Sequence, residues 1–246
     1  MLFTASAAVT IVRCTAMSAM GGMPMPGGWT LSMAWMRMPG QTSLGAAMSF
    51  LGMWVAMMVA MMLPSLVPTL CRYRADFAKT GETRPGLSIA LVSVAYFFVW
   101  TVFGMVVFPL GIALTAVVTE QPMLARAVPI AVGVVVLIGG AFQFTAWKAH
   151  QLACGRETPG HAHASPPNAT MAWRYGLRLG LHCSLCCAGL TAILLSLGIM
   201  DLRAMTVVTA AITAERLVPG ERVARAVGVV VVGAGLVLIG RAAGLG

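Results

Sequence analysis

Residues 45–70 read GAAMSFLGMWVAMMVAMMLPSLVPTL and contain no charged residue. A helix needs about 20 mostly apolar residues to cross a bilayer, so this stretch is long enough to span a membrane. Its apolar residues follow one another without alternating with polar ones, which favours a helix over a strand of a barrel. Pro64 and Pro68 near its end predict that the helix stops there.

The rest of the chain repeats this pattern. Hydrophobic residues make up 59% of the 246 and charged residues 9%, whereas a soluble domain is about one quarter charged. We therefore predict an all-α fold, a polytopic transmembrane helix bundle with about six or seven spanning helices in a single domain over residues 1–246. A Gly/Pro/Met-rich loop at 21–44 precedes the core helices of 45–243. The other predicted spans are 87–118, 126–147, 175–199, 223–243, a short one at 204–218 and a weak one at 2–20, interrupted by Arg13.

Basic residues are distributed unevenly between the connections, and loops rich in Lys and Arg stay in the cytoplasm. Three connections are rich in basic residues, and the connections that alternate with them along the chain carry one arginine each. This pattern places the rich loops in the cytoplasm, and the 21–44 loop and the C-terminus outside, so the net charge of +9 reflects topology and not nucleic-acid binding. The basic residues of the three rich loops are Arg72, Arg74, Lys79 and Arg84; Lys148, Arg156, Arg174 and Arg178; and Arg216, Arg222 and Arg225.

Methionine is unusually frequent, with 19 residues. Within 45–70, Met53, Met57 and Met61 recur every fourth residue, and Met58 and Met62 have the same spacing, so each set lies on one stripe of a helix. Thioethers are soft ligands that suit Cu(I). The alternative is that methionine packs an irregular helix interface.

Residues 182–187 read HCSLCC inside the 175–199 span. Cys183, Cys186 and Cys187 have i, i+3 and i+4 spacing, so their thiols lie on one side of a helix, and His182 adds an imidazole. Thiolates are strong ligands for Cu(I) and Zn²⁺, which favours a metal or redox site. The alternative is that the cysteines serve as small residues for close helix packing.

Other candidates lie near the cytoplasmic side. Cys154 is a candidate entry ligand or redox partner, with His150 nearby, whereas His161 and His163 in a Pro/Gly-rich loop are a weak metal signal. Glu215 ends a predicted span, where an ionisable group indicates either function or an interfacial pair with Arg216 or Arg222. An outer set of methionines is a possible collecting surface for the same metal. Its members are Met17, Met20, Met23, Met25, Met33, Met36 and Met38.

Several stretches together resemble an uncharacterised bacterial family, the predicted metal-binding integral membrane proteins of domain of unknown function 2182. They are WVAMMVAMMLPSLVP at 54–68, AYFFVW at 95–100, FQFTAWK at 142–148, GLRLGLHCSLCC at 176–187, LGIM at 197–200 and AERLVP at 214–219. The resemblance implies a metal and a bacterial inner membrane. The chain departs from the family pattern at Gln151 and Gly155, where only Cys154 remains of two cysteines, at Arg216 in place of a lysine, and at Ala188 in place of an aromatic residue.

We predict a soft-metal membrane protein that acquires, transfers or delivers copper, with another soft metal as the alternative ion. The predicted partners are the lipid bilayer, the metal ion and a metal-donor or metal-acceptor protein, and no nucleic acid. The alternative functions are a metal-free permease and a membrane thiol or copper oxidoreductase. The predicted ligands are Met53, Met57, Met58, Met61, Met62, His182, Cys183, Cys186, Cys187, Glu215, Cys154 and His150.

Overall fold

The computed structural model describes residues 2–19, 21–26, 28–32, 35, 40–78, 85–154, 169–198, 201–218 and 222–244. This part of the chain forms helices and one short antiparallel hairpin, which confirms the all-α bundle. In chain order the elements are α1 Leu2–Ala19, β1 Met23–Met25, β2 Trp29–Leu31, α2 Ser43–Ala78, α3 Pro85–Glu120, α4 Pro122–Phe142, α5 Ala146–Cys154, α6 Ala169–Leu197, α7 Leu202–Leu217 and α8 Arg222–Ala242.

Five helices of this part, α2, α3, α4, α6 and α8, are long and apolar enough to cross a membrane. The predicted count was about six or seven, and the difference lies in α1 and α7, which are shorter. Large apolar side chains face outward along the long helices, for example Val94 and Phe98 on α3 and Val230 on α8. Such an outward apolar surface suits contact with lipid chains.

Three boundaries differ from the sequence-based prediction. The α2 helix does not stop at Pro64 and Pro68 but continues to Ala78. Proline has no backbone N–H to donate, and a helix packed among others tolerates it because its neighbours can satisfy the carbonyl groups left without a partner. The predicted 126–147 span ends earlier, at Phe142, where the backbone tightens and Thr145 accepts a bond from the Lys148 N–H at the start of α5. The predicted 21–44 loop contains the β1–β2 hairpin, in which Met23 pairs with Leu31.

Helices α2 and α6 lie at the centre of the bundle. In the most apolar window of α6, 56% of residues are buried, against 44% in α2, 28% in α4, 17% in α8 and 11% in α3. Glycines allow close approach: a Cβ on Gly180 of α6 would lie 2.9 Å from the Tyr96 carbonyl of α3. The α4–α8 pair uses the same device, since a Cβ on Gly140 would lie 2.9 Å from the Val232 nitrogen.

Candidate metal centre

Three sulfur atoms from two helices meet in the middle of the bundle. The Cys183 Sγ lies 4.0 Å from the Cys187 Sγ on the same helix and 3.9 Å from the Met62 Sδ on α2. All three residues are buried, and the cysteines are not in disulfides. The i, i+4 spacing aligns the thiols on α6, as the sequence predicted, and the tertiary structure adds the thioether across the helix interface.

These separations suit a soft metal ion. A metal–thiolate bond is about 2.3 Å long, so three sulfurs around one ion in a plane stand about 4.0 Å apart. The Cys183–Cys187 and Cys183–Met62 distances both match that spacing. Cys186, also buried, lies one residue before Cys187 and adds a fourth sulfur to the same region of α6. The set is all sulfur, which selects Cu(I) over hard cations.

Tyr96 is a neighbour of the sulfurs that the sequence analysis did not identify. Its hydroxyl donates a hydrogen bond to the Cys183 Sγ at 2.9 Å, and the ring is fully buried. The close approach of α3 at Gly180 brings Tyr96 within reach of Cys183. The available signal was the AYFFVW stretch at 95–100, whose tyrosine carries the only hydroxyl group of that segment. A donor to a ligating sulfur orients it and tunes its strength as a ligand.

The other four predicted methionine ligands of α2 belong to the same core. Met57, Met58 and Met61 are buried, and Met53 is partly buried and packs against the core. Of the five, Met62 has the sulfur–sulfur contact with Cys183. The other four therefore suit both interpretations, as ligands and as packing residues, and their role as ligands stays a prediction.

Of the predicted histidine and loop residues, His182 has a side-chain partner on another helix. His182 is partly buried, and its Nδ1 is hydrogen-bonded to the Gln151 Oε1 on α5. If Nδ1 donates, the Nε2 lone pair is available for a metal. His150 is exposed on α5. Cys154 is the last residue of α5, and its side chain lies outside the described part of the structure. His161 and His163 also lie outside that part.

Glu215 forms a buried ion pair with a residue from another helix. Its Oε2 lies 2.8 Å from the Lys148 Nζ, and each side chain is 1% exposed. The sequence analysis weighed Arg216 and Arg222 as partners, and the structure instead shows Lys148 of α5. Lys148 was classed only as a loop cation, although a lysine directly after an apolar, aromatic stretch was a signal for an intramembrane pair.

Arg216 brings a positive charge to the sulfur centre. It is partly buried near the end of α7, and its charge acts on Cys183, Cys186 and Cys187. The Lys148–Glu215 pair next to it is neutral as a unit. Arg216 can therefore balance negative charge that develops on the thiols.

The comparison with protein families indicates which metal this family of proteins handles. Residues 51–238 match the family model PpoB2, described as copper chaperone. The chain belongs to this copper chaperone family. No curated protein and no solved structure matches the chain. Membership of the family confirms the predicted copper-related family, whereas the designation 2182 stays a prediction.

The copper chaperone match covers the whole sulfur centre. It begins eleven residues before Met62, at residue 51, and ends within α8, so it includes the five predicted methionine ligands of α2, Tyr96, Lys148, the three cysteines of α6 and Glu215. Within the described residues there is no group of three or more His, Cys, Asp or Glu side chains arranged to hold a metal.

Proposed function

We propose that this chain is a membrane-embedded Cu(I) chaperone that carries the ion on the Cys183 and Cys187 thiolates and the Met62 thioether. The observation that supports this most is the convergence of these sulfurs from α2 and α6 at 3.9 and 4.0 Å from Cys183. Membership of a copper chaperone family supplies the cargo. Cys186 is a further sulfur for the same ion.

Charge balance supports a monovalent ion. Cu(I) with two thiolates carries one net negative charge, which would be costly in a buried site between apolar helices. Arg216 supplies one positive charge that acts on these cysteines, so the occupied centre is neutral. A Zn²⁺ ion on the same two thiolates would leave the arginine charge uncompensated.

The ligand set also suits transfer over permanent storage. Thiolates hold Cu(I) firmly and a thioether holds it less firmly, so one bond of the proposed three is easily replaced by an incoming ligand. The buried Met58 shares the stripe of Met62 on α2, the buried Met57 and Met61 belong to the other stripe, and all three offer further weak ligands. An outer collecting role for Met23 and Met25 of the β1 strand belongs to the same proposal.

In this proposal Glu215 and His182 do not bind the ion in its resting site. Glu215 acts through its ion pair with Lys148, which holds α7 against α5. His182 stands beside Cys183 in the chain and is oriented by Gln151. We propose that His182 accepts or passes on the ion at the edge of the sulfur centre and does not belong to the resting ligand set.

The test is the metal content of the purified protein. The protein would be prepared in detergent under reducing, anaerobic conditions, loaded with Cu(I), and measured by elemental mass spectrometry. We expect about one Cu(I) per chain in the wild type, a loss of at least tenfold in affinity in the Cys183→Ser and Cys187→Ser double variant, and no change in Cys71→Ser. Cys71 is exposed on α2 and serves as the matched control.

Two outcomes would overturn the proposal. Wild-type protein that binds no copper would favour the metal-free permease, in which Met and Cys only pack. Copper that remains in the double variant with unchanged affinity would place the ion elsewhere. X-ray absorption at the copper edge adds a readout of the ligands, and we expect sulfur scattering at about 2.3 Å.

A further inference from the structure

A narrow polar cleft opens at the end of the bundle where α2, α5 and α7 meet. It has a volume of about 20 Å³, enough for about one water molecule. Its polar lining comes from three different helices. The lining residues are Ser65, Pro68, Thr69 and Arg72 of α2, Gln151 and Leu152 of α5, and Arg216 and Leu217 at the end of α7.

Residues that line the cleft also contact residues in or next to the sulfur centre. Gln151 lines the cleft and also holds the Nδ1 of His182, the residue before Cys183. Arg216 lines the cleft and its charge acts on Cys183, Cys186 and Cys187. Met62 lies three residues before Ser65, whose hydroxyl donates to the Met62 carbonyl at 2.9 Å. Two residues of the cleft wall therefore contact either a proposed copper ligand, Met62, or the neighbour of one, His182.

The charge of the cleft does not suit a bare cation. Its described ionisable residues are Arg72, which is exposed, and Arg216, which is partly buried, and no carboxylate is among its lining residues. Two guanidinium groups repel Cu⁺ and attract anions. A Cu(I) ion held by two thiolates is an anion, because the ligands carry two negative charges and the ion one positive charge.

We infer that the Arg72–Arg216 cleft is the docking point for an anionic thiolate carrier of Cu(I), which exchanges the ion with Cys183 and Cys187. This inference rests on the proposed function and names the chemical form of the partner. The cleft holds about one water, so the carrier stays at its mouth and does not enter. His182 is hydrogen-bonded to Gln151 of the cleft and precedes Cys183 in the chain, and in this inference it is the first ligand that the ion meets.

The exchange conserves atoms, charge and oxidation state. For each transfer a bond between copper and a carrier thiolate breaks as a bond between copper and a cysteine sulfur forms. The cysteine proton leaves with the carrier thiolate, which departs as a thiol, and copper stays Cu(I) throughout. Because no electron moves, the step needs no oxidant or reductant.

The experiment compares carriers that bind Cu(I) through the same thiolate but differ in charge. Mercaptopropionate, mercaptoethanol and cysteamine form bis-thiolate complexes that are strongly negative, weakly negative and positive. Transfer to detergent-purified protein would be followed by stopped-flow absorbance of the copper–thiolate band at low and high salt. The variants are Arg72→Gln and, as a matched control, Arg74→Gln, which removes an exposed charge from the same helix outside the cleft.

We expect wild-type transfer to be fastest from the mercaptopropionate complex and slowest from the cysteamine complex, by about tenfold or more at low salt, as electrostatic steering allows. Added salt should reduce the spread. Arg72→Gln should reduce the difference in transfer rate between the carriers several-fold, while the amount of copper bound stays at one per chain. Arg74→Gln should leave that difference unchanged. The inference would be overturned if the two variants showed equal differences in transfer rate between the carriers, or if the wild type showed no difference. A wild type that binds no copper would instead overturn the proposed function.

Discussion

The α2–α6 core and the α4–α8 pair are both built from apolar helices and differ in what they bury. In the core, the side chains between the helices include Met62, Cys183 and Tyr96, and 56% of the most apolar α6 window is buried. In the α4–α8 pair the helices touch through glycines such as Gly140, and only 17% of the α8 window is buried. The α4–α8 pair thus exposes most of its apolar side chains, whereas the core encloses the side chains between its helices.

This difference explains where polar chemistry is tolerated. A charge or a reactive sulfur facing lipid chains has no partner, so its cost is not offset. Between the packed helices, by contrast, Lys148 pairs with Glu215, His182 with Gln151 and Cys183 with Tyr96. Perturbing each region separately tests whether the core binds the ion and the outer pair only supports it.

The largest expected effect is in the core, at the buried ion pair. Glu215→Gln leaves the Lys148 ammonium, which is 1% exposed, without its carboxylate. We expect it to lower the free energy of unfolding by about 3–5 kcal/mol, measured by denaturation in detergent. The double variant Lys148→Met with Glu215→Leu should recover most of that loss, because no unpaired charge remains. If the recovered double variant also loses its copper, Glu215 is a ligand as the sequence analysis predicted.

A smaller loss is expected in the α4–α8 pair. Gly140→Val places a Cβ within 2.9 Å of the Val232 backbone nitrogen, so α4 and α8 must separate. We expect a loss of about 1–3 kcal/mol in the free energy of unfolding from overpacking, with one copper still bound per chain. Gly233→Val is the matched control, since a Cβ there meets nothing within 4 Å. Loss of copper in Gly140→Val at a temperature where it stays folded would contradict the division into a copper-binding core and a supporting α4–α8 pair.

The smallest expected effect concerns one thioether. Met62→Leu keeps the apolar volume but removes the Sδ that lies 3.9 Å from Cys183. We expect Cu(I) affinity to fall about tenfold, equal to about 1.4 kcal/mol, while stability changes little. Competition with a chromophoric Cu(I) chelator measures this affinity. Met48→Leu is the control, because Met48 is 63% exposed on the same helix. Equal affinities in the two variants would leave Met62 as a packing residue.

Much of the centre was predictable from local spacing. The i, i+4 repeats placed Met58 with Met62 and Cys183 with Cys187 on shared helix faces, and the softness of sulfur pointed to copper, which the family match confirms at the level of a copper-related function. Contacts between helices were not predictable. Tyr96 and Lys148 reach their partners across interfaces separated by tens of residues, and no periodicity within one helix reports such a distance.

The sequence by itself determined that the chain forms apolar helices long enough to cross a bilayer, because that property depends only on local composition and length. It also determined which sulfurs share a helix face. The tertiary structure alone decided that Met62 meets Cys183, that Glu215 pairs with Lys148, and that Arg72 and Arg216 line one cleft. Those pairings depend on how whole helices pack, and packing is set by the shapes of complete interfaces and by the glycines that let backbones approach.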